Sequence, residues 1–174
     1  MTGQPSPQTP LMQVLGFTPD DLEANRAGRM SAMQHYRLRL QRRRSIFLGA
    51  LVLLVVTLIA SLSIFAGSRQ DGSAILTVIG IGVTICNAAL MGVVVRHWLR
   101  LTMDIRDETV QMTSGALERV IKPVTRRVVN TLIRVDGMEI MVSKEAFGAF
   151  EHGSSYTLYR APHTGRLLSA ERVE

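Results

Sequence analysis

The sequence predicts an α+β membrane protein, with a two-helix transmembrane hairpin followed by a small five-stranded β-domain of the OB-like or SH3-like barrel type. Three observations predict this class. Two uncharged apolar runs, residues 46–66 and 74–95, are each long enough to cross a hydrocarbon core about 30 Å thick. Only seven residues separate them, so the chain must turn back at once. After residue 103 the pattern changes to short β-like runs separated by turn residues.

Prolines dominate the first ten residues and predict a flexible tail over residues 1–17. A short capped helix is expected within residues 18–30, with Thr18 as its N-cap, Pro19 at its first position and Gly28 at its end. This helix has too few apolar residues to be stable alone. It either remains a frayed part of the tail or docks onto a partner, or onto the protein's own β-domain, through the candidate partner-binding residues Phe17, Leu22, Asn25 and Arg26.

Residues 31–103 are predicted to form a long helix that runs from the cytoplasm into the membrane, followed by the rest of the hairpin. Ser31 and Gln34 fit a capping box, in which each side chain satisfies a backbone N–H of the other residue. From Ala32 the pattern predicts one uninterrupted helix to Gly67. The second helix is expected to end near Met103.

Basic residues stand at the outer ends of both apolar runs, whereas the connecting loop has only Arg69, offset by Asp71. The positive-inside rule therefore places both termini in the cytoplasm, and the short loop favours a bacterial plasma membrane. The flanking arginines either only fix this topology or also bind anionic lipid or RNA phosphates. The expected lipid-headgroup or membrane-interface residues are Arg37, Arg39, Arg42, Arg43, Arg44, Arg96, Trp98 and Arg100.

Small residues in the second apolar run predict close helix packing, because they allow another backbone to approach. Asn87 is the most polar residue in either run and is expected to face protein, where it bonds a backbone carbonyl of the hairpin or contacts another subunit. The candidate packing residues are Gly80, Gly82, Asn87, Ala88 and Gly92.

Residues 104–174 are predicted to form a cytoplasmic β-rich domain. The expected strands cover residues 109–121, 127–135, 138–142, 156–160 and 166–173, with Pro123 ending the first and Asp136-Gly137 turning a tight hairpin. A short helix over residues 144–150, capped by Ser143, stands between the third and fourth strands. This order favours an OB-like barrel, although an SH3-like barrel or an open sheet would give the same pattern. The expected core residues are Phe147, Phe150, Tyr156, Leu158 and Leu167, with Val128, Ile133 and Ile140.

The sequence shows no constellation that indicates catalysis. Its four histidines are dispersed, its single cysteine, Cys86, lies in an apolar run, and no metal-ligand spacing or phosphate loop occurs. We therefore expect no enzyme activity, no metal and no cofactor, and no small-molecule substrate is evident. We do not expect strong nonspecific binding of nucleic acid, because residues 104–174 contain ten basic and ten acidic residues.

The expected function is that of a membrane-anchored interaction protein, a scaffold, assembly or accessory subunit of a larger membrane complex. Its partner is a protein in the membrane or a second copy of the chain. The alternative is a membrane-tethered module that senses a small molecule, lipid headgroup or nucleic acid through the β-domain, where Tyr159 and Arg160 are the candidate contacts. An exposed apolar patch favours the first function, and a groove with several polar groups favours the second. The overall plan is similar to that of NfeD-type and mechanosensitive-channel-type proteins, a likeness that carries no functional residues.

Overall fold

The computed structural model describes residues 8–69, 74–125 and 128–173. It divides the chain into two compact units. The β-unit consists of the residues up to Tyr36 together with those from Arg106 onward, and the hairpin unit consists of Arg37–Ile105. Residues 1–7 of the expected tail and residues 70–73 of the expected loop lie outside the described residues.

Two long helices, α3 (Ala32–Gly67) and α4 (Ala74–Asp107), make up the hairpin unit and extend beyond it. The start and end of α3 are those predicted, and the capping box is present: Ser31 Oγ accepts a hydrogen bond from Gln34 N at 3.1 Å, and Gln34 Oε1 accepts one from Ser31 N at 3.2 Å. The end of α4 lies four residues beyond the predicted Met103. Both helices are long and apolar enough to cross a membrane, and only 6% of the most apolar 18-residue window of each is buried.

The N-terminal segment differs from the predicted tail, because Gln8–Leu15 forms a helix, α1. Pro10 is tolerated in its first turn, where a backbone N–H has no partner within the helix. Leu11 is only 1% exposed, so this segment is ordered by packing that no local pattern predicts. The second helix, α2 (Pro19–Arg26), confirms the expected cap at Thr18 and the expected end at Gly28, whose φ is +74°.

The sheet is antiparallel and open, in the order β3-β2-β1-β4-β5, so that β3 and β5 form its edges. The open-sheet alternative therefore describes the strands, and neither barrel type is confirmed. The first strand belongs to both halves of the sheet, because residues 111–116 pair with β4 and residues 117–125 pair with β2. The strands are β1 (Gln111–Thr125), β2 (Val128–Val135), β3 (Met138–Met141), β4 (Ser155–Arg160) and β5 (Leu167–Arg172).

The prediction that Pro123 ends the first strand is wrong, since β1 continues to Thr125. Pro123 lies opposite Val129 just before the register shifts. This end of β1 pairs with β2 alone among the described strands, and a proline without an N–H is tolerated beside an open edge. The expected turn is confirmed, because Asp136 and Gly137 both have positive φ, 49° and 73°, as a type I′ turn requires.

The core of the β-unit lies between the sheet, a short helix α5 (Lys144–Ala149) and the two N-terminal helices. Ser143 caps α5 as predicted, its Oγ accepting a hydrogen bond from Ala146 N at 3.2 Å. Phe150 and Tyr156 pack edge to face, with ring centroids 5.2 Å apart. Leu167 is only partly buried, and the side chain of Val128 lies outside the described residues. The buried hydrophobic cluster contains Leu11, Phe17, Leu22, Leu117, Ile133, Val135, Ile140, Phe147, Phe150, Tyr156, Leu158, Tyr159 and Ala170.

Candidate functional site

The N-terminal helices dock onto the protein's own sheet, with α1 against α5 and β5 and α2 against β5. Phe17 and Leu22, predicted to dock onto a partner or onto the protein's own β-domain, are each 4% exposed and belong to the core of the β-unit, as the second alternative expects. Asn25 is also buried, and its Nδ2 donates to Ser169 Oγ at 2.7 Å. Asn25 therefore links α2 directly to β5, while Phe17 and Leu22 anchor this segment in the core.

A polar cluster of Arg26, Tyr159 and Glu171 reinforces this attachment. Arg26 Nε donates to Glu171 Oε2 at 2.9 Å, and the Tyr159 hydroxyl donates to Glu171 Oε1 at 2.5 Å. Burial, together with the bond to Glu171, raises the pKa of Tyr159 to about 12. Burial alone would raise the pKa of Glu171, but the hydrogen bonds from Arg26 and Tyr159 outweigh it and lower that pKa. Tyr159 and Arg26 are thus held in a contact within the chain.

Arg160, the other predicted contact of β4, lies in a groove of about 580 Å³, which we call the Arg160 groove. The groove is formed by the end of α1, the edge strand β3, the start of α5 and the turn between β4 and β5. Its apolar lining includes Leu15, Ile140, Val142 and Leu167, and its polar lining includes Ser143, Thr164 and Arg166. Residues distant in sequence therefore combine a basic and an apolar surface in one cleft.

Local backbone geometry brings the basic residues of the groove together. Arg160 is the last residue of β4, where the register with β5 shifts between Tyr159 and Arg160. Such an irregularity turns a side chain away from the regular alternation of a strand. The following turn closes through a hydrogen bond from Ala161 N to Arg166 O at 2.9 Å and includes Gly165 at a φ of +69°. This tight return places Arg166 beside Arg160 in the lining.

The electrostatics of the groove favour an anion. The Nε of Arg160 is buried and has no hydrogen-bond partner among the described residues. Glu139 also lines the groove, but its carboxylate bonds Arg134 at 2.7 Å and Lys122 at 2.5 Å. The hydrogen bonds from Arg134 and Lys122 lower the pKa of Glu139, so this acid is ionised and already neutralised. The described residues therefore leave this buried donor of Arg160 without an acceptor.

The exposed end of the β1–β2 pair forms an apolar surface, which we call the arm patch and define as Ile121, Pro123 and Val129. Leu117 and Val135, which lie opposite each other on the same face, are fully buried. Farther along this face Ile121 and Val129 are both 58% exposed, and Pro123 is exposed as well. The face of the β1–β2 pair that lines the core thus continues beyond the core. The high apolar content of residues 120–124, which extend beyond the predicted end of the strand, is a sequence signal that could have identified this surface.

In the hairpin unit only one of the predicted packing glycines meets the facing helix. A Cβ added at Gly80 would stand 2.5 Å from Ile64 Cγ1 and 3.0 Å from the backbone of Ala60 and of Ile64. No described atom lies within 4 Å of the corresponding positions at Gly82 and Gly92, and Ala88 is exposed. The expected contact at those three residues is therefore not made within the hairpin.

Asn87 faces the other helix, as predicted, but its partner is a side chain and not a backbone carbonyl. Its Nδ2 donates to Thr57 Oγ1 at 2.8 Å, and Thr57 Oγ1 donates to Leu53 O at 2.8 Å. The Oδ1 of Asn87 is buried and has no hydrogen-bond partner among the described residues.

The predicted membrane-interface residues lie at one end of the hairpin unit. Arg44 and Gln41 of α3 and His97 of α4 line a common groove of about 510 Å³, which continues between the helices as an apolar surface that includes Leu48 and Val93. All of the predicted residues are exposed except Arg42, which is half-buried. They are Arg37, Arg39, Arg42, Arg43 and Arg44 on α3, with Arg96, Trp98 and Arg100 on α4.

Three histidines of the β-unit each contact a different residue of the same unit. His163 Nε2 lies 2.7 Å from Asp107 Oδ2, His35 Nε2 lies 3.3 Å from Glu108 Oε1, and His152 Nδ1 accepts a hydrogen bond from Arg119 N at 3.1 Å. Among the described residues, no group of three or more His, Cys, Asp or Glu side chains is placed to hold a metal ion.

Comparisons of the chain with models of known protein families, with curated proteins and with solved structures find no match. Any functional assignment therefore depends on the geometry of the chain itself.

Proposed function

We propose that this chain is a membrane-anchored interaction protein, which serves as a scaffold, assembly or accessory subunit of a larger membrane complex. The observation that carries the proposal is the arm patch, an apolar surface of the β-unit that continues the core face and has no cover within the described chain. Contiguous exposed apolar surface of this kind is typical of a protein–protein contact. The partner that we propose is a protein of the same membrane.

The exposure of the hairpin helices supports the membrane anchor. Ile75, Val78 and Phe47 are 69%, 68% and 70% exposed, and only 6% of the most apolar 18-residue window of each helix is buried. In water such side chains would each forfeit about 1.5–3 kcal/mol relative to burial, which a bilayer core restores. A core helix of a soluble protein would instead be mostly buried.

The position of the basic residues supports an orientation and a lipid partner. Both arginine clusters stand at one end of the hairpin unit, so the positive-inside rule would place that end, and both termini, in the cytoplasm. Anionic headgroups would then surround the clusters, each arginine contributing about 1 kcal/mol of attraction. The localisation we propose is the plasma membrane of a bacterium.

Helix α4 offers a second contact within the membrane. Gly92 and Ala88 are spaced four residues apart on α4 and are open, whereas Gly80 is covered by α3. Small residues that their own hairpin leaves uncovered allow a helix of another chain to approach closely.

The test is the native mass of the tagged full chain, extracted from its membrane in a mild detergent, with the co-purifying chains identified. We expect a complex of fixed composition that the double substitution Ile121→Asp with Val129→Asp dissociates, because two buried charges without partners would oppose the contact. The matched control is Met112→Asp, which changes an apolar residue of the same strand that is 64% exposed but lies outside the arm patch. Near-UV circular dichroism checks that each variant is folded.

The outcomes separate the parts of the proposal. A complex of several copies of this chain alone would identify the partner as a second copy. A wild-type chain that purifies as a monomer, or a complex that survives the double substitution, would contradict the role of the arm patch. Release of the chain from membranes by alkaline carbonate would contradict the anchor.

A second candidate function is favoured by one observation, the Arg160 groove. It combines polar and apolar lining in a cleft of about 580 Å³, within the size range of small-molecule sites. On this candidate the β-unit is a membrane-tethered binding module.

A further inference from the structure

We propose that the Arg160 groove binds a small amphipathic anion, in which a carboxylate or phosphate head is carried on an apolar chain. The inference rests on the second candidate function and deepens it. It depends neither on the arm patch nor on insertion of the hairpin helices, since every residue of the groove belongs to the β-unit.

The guanidinium group of Arg160 needs an acceptor that the described residues do not supply. Its Nε is buried and makes no hydrogen bond with the described residues, although burial of an unsatisfied charged donor is costly. A carboxylate or phosphate offers oxygens at the spacing of the guanidinium fork and can accept two parallel N–H bonds. An anionic head is therefore the ligand group that best satisfies this side chain.

The other polar residues that line the groove also suit an anionic head. Arg166 adds a second positive charge, and the hydroxyl groups of Ser143 and Thr164 line the same groove. Ser143 Oγ accepts a hydrogen bond from Ala146 N at 3.2 Å, so its O–H can still be donated to a ligand oxygen. Glu139 does not oppose an anion, because Arg134 and Lys122 neutralise it.

The apolar residues that line the groove would contact the apolar chain of the ligand. Leu15 and Val14 come from α1, Ile140 and Val142 from β3 and the residues after it, and Leu167 from the start of β5. A purely ionic ligand such as inorganic phosphate would leave this surface in contact with water. Burial of an alkyl chain contributes about 0.8 kcal/mol for each CH₂ group and favours an amphipathic ligand.

The test uses the full chain in nanodiscs of zwitterionic phospholipid, with octanoate and octyl phosphate as probes. We expect saturable binding of one probe molecule to each chain, and no saturable binding of octanol or octyltrimethylammonium, which lack the anionic head. Isothermal titration measures the affinity, and empty nanodiscs give the correction for partition into lipid. Comparison of the two anionic probes distinguishes a carboxylate ligand from a phosphate ligand.

Variants of the groove identify the residues responsible. Arg160→Ala should weaken binding roughly tenfold to a hundredfold, because a hydrogen bond to a charged group is lost. Arg106→Ala, which removes an exposed arginine of the β-unit outside the groove, should leave binding unchanged. Should Arg160→Ala fail to fold, Val14→Asp provides a second test, since Val14 is 39% exposed and lines the groove. It should weaken binding of the anion more than its uncharged counterpart Val14→Asn.

Saturable binding that requires both the anionic head and Arg160 would support the inference. Absence of saturable binding to the folded wild-type chain, or equal affinities of the wild type and Arg160→Ala, would overturn it. The protein complex of the interaction proposal is measured without probes, so its presence or absence does not change this result. Competition for octyl phosphate by nanodiscs that contain phosphatidic acid would identify the source of the ligand as a membrane lipid.

Discussion

Apolar side chains of the same kinds are buried in the β-unit and exposed in the hairpin unit. In the β-unit Leu117 and Ile133 are fully buried, whereas in the hairpin unit Leu62 and Ile75 are 65% and 69% exposed. In water, hydrophobic burial can stabilise the β-unit but not the exposed apolar side chains of the hairpin unit. The exposed apolar surface of the hairpin unit is the physical basis of the membrane anchor that we propose.

Matched phenylalanine substitutions give the largest expected contrast between the units. Phe150 is 1% exposed and packs edge to face on Tyr156, so Phe150→Ala should lower the free energy of unfolding of the β-unit by about 3–5 kcal/mol. Phe47 is 70% exposed on α3, so Phe47→Ala should leave that free energy unchanged. Urea titration of the detergent-solubilised chain, followed by near-UV circular dichroism, measures both. A similar loss in both variants would show that the hairpin carries core packing of its own.

Matched glycine substitutions test the packing within the hairpin unit and should give a smaller effect. A Cβ at Gly80 would meet the Ile64 side chain and the backbone of Ala60 and Ile64, so Gly80→Ala must push the helices apart. The expected cost is about 1–3 kcal/mol, seen as a lower midpoint in thermal unfolding followed by helical circular dichroism in detergent. Gly82→Ala is the control, because nothing described lies within 4 Å of its added Cβ. Equal midpoints for the two variants would contradict the described helix contact.

Features of the fold that depend on neighbouring residues could be predicted from the sequence. The capping box at Ser31, the cap at Thr18, the cap at Ser143 and the turn at Asp136-Gly137 are each set by residues within one turn of the chain. Length and apolar content likewise indicated the two long helices.

Features that depend on distant contacts could not be predicted in this way. Helix α1 is held by packing of Leu11 in a core about 100 residues away, which outweighs the prolines that indicated a tail. The choice between an open sheet and a barrel depends on which strands lie at the edges, and strand patterns alone do not carry that information.

The candidate site illustrates the same limit at the level of single residues. Tyr159 and Arg160 were predicted together, yet the structure buries Tyr159 against Glu171 and leaves Arg160 in the groove. The register with β5 shifts between these two residues, so neighbours in sequence have different surroundings here. No sequence signal placed Arg166, Ser143 and Leu15 at this site, because the groove joins three separate segments of the chain, residues 14–15, 139–146 and 160–167.

The weakest effect that we expect concerns the polar attachment of α2, in which Arg26 and Tyr159 bond Glu171. Glu171 has a lowered pKa in the folded chain, because the bonds from Arg26 and Tyr159 outweigh its burial. A carboxyl group of this kind stabilises the fold above its unfolded pKa of about 4.3, and the contribution is lost as the pH falls through the lower, folded pKa. Since the side chain of Arg26 is 56% exposed, we expect less than about 1 kcal/mol.

Hydrogen exchange of the amides of α2, corrected for the intrinsic dependence on pH, measures this contribution. Protection should decline between pH 6 and pH 3 in the wild type, and this decline should be smaller in Glu171→Gln, which cannot be protonated. Glu151→Gln is the matched control, because Glu151 bonds Arg172 elsewhere on β5 at 2.5 Å. If Glu171→Gln lost protection with the same profile as the wild type, the ionisation of Glu171 would make no contribution, and the attachment of α2 would depend on the buried Asn25–Ser169 hydrogen bond and on apolar packing of Phe17 and Leu22.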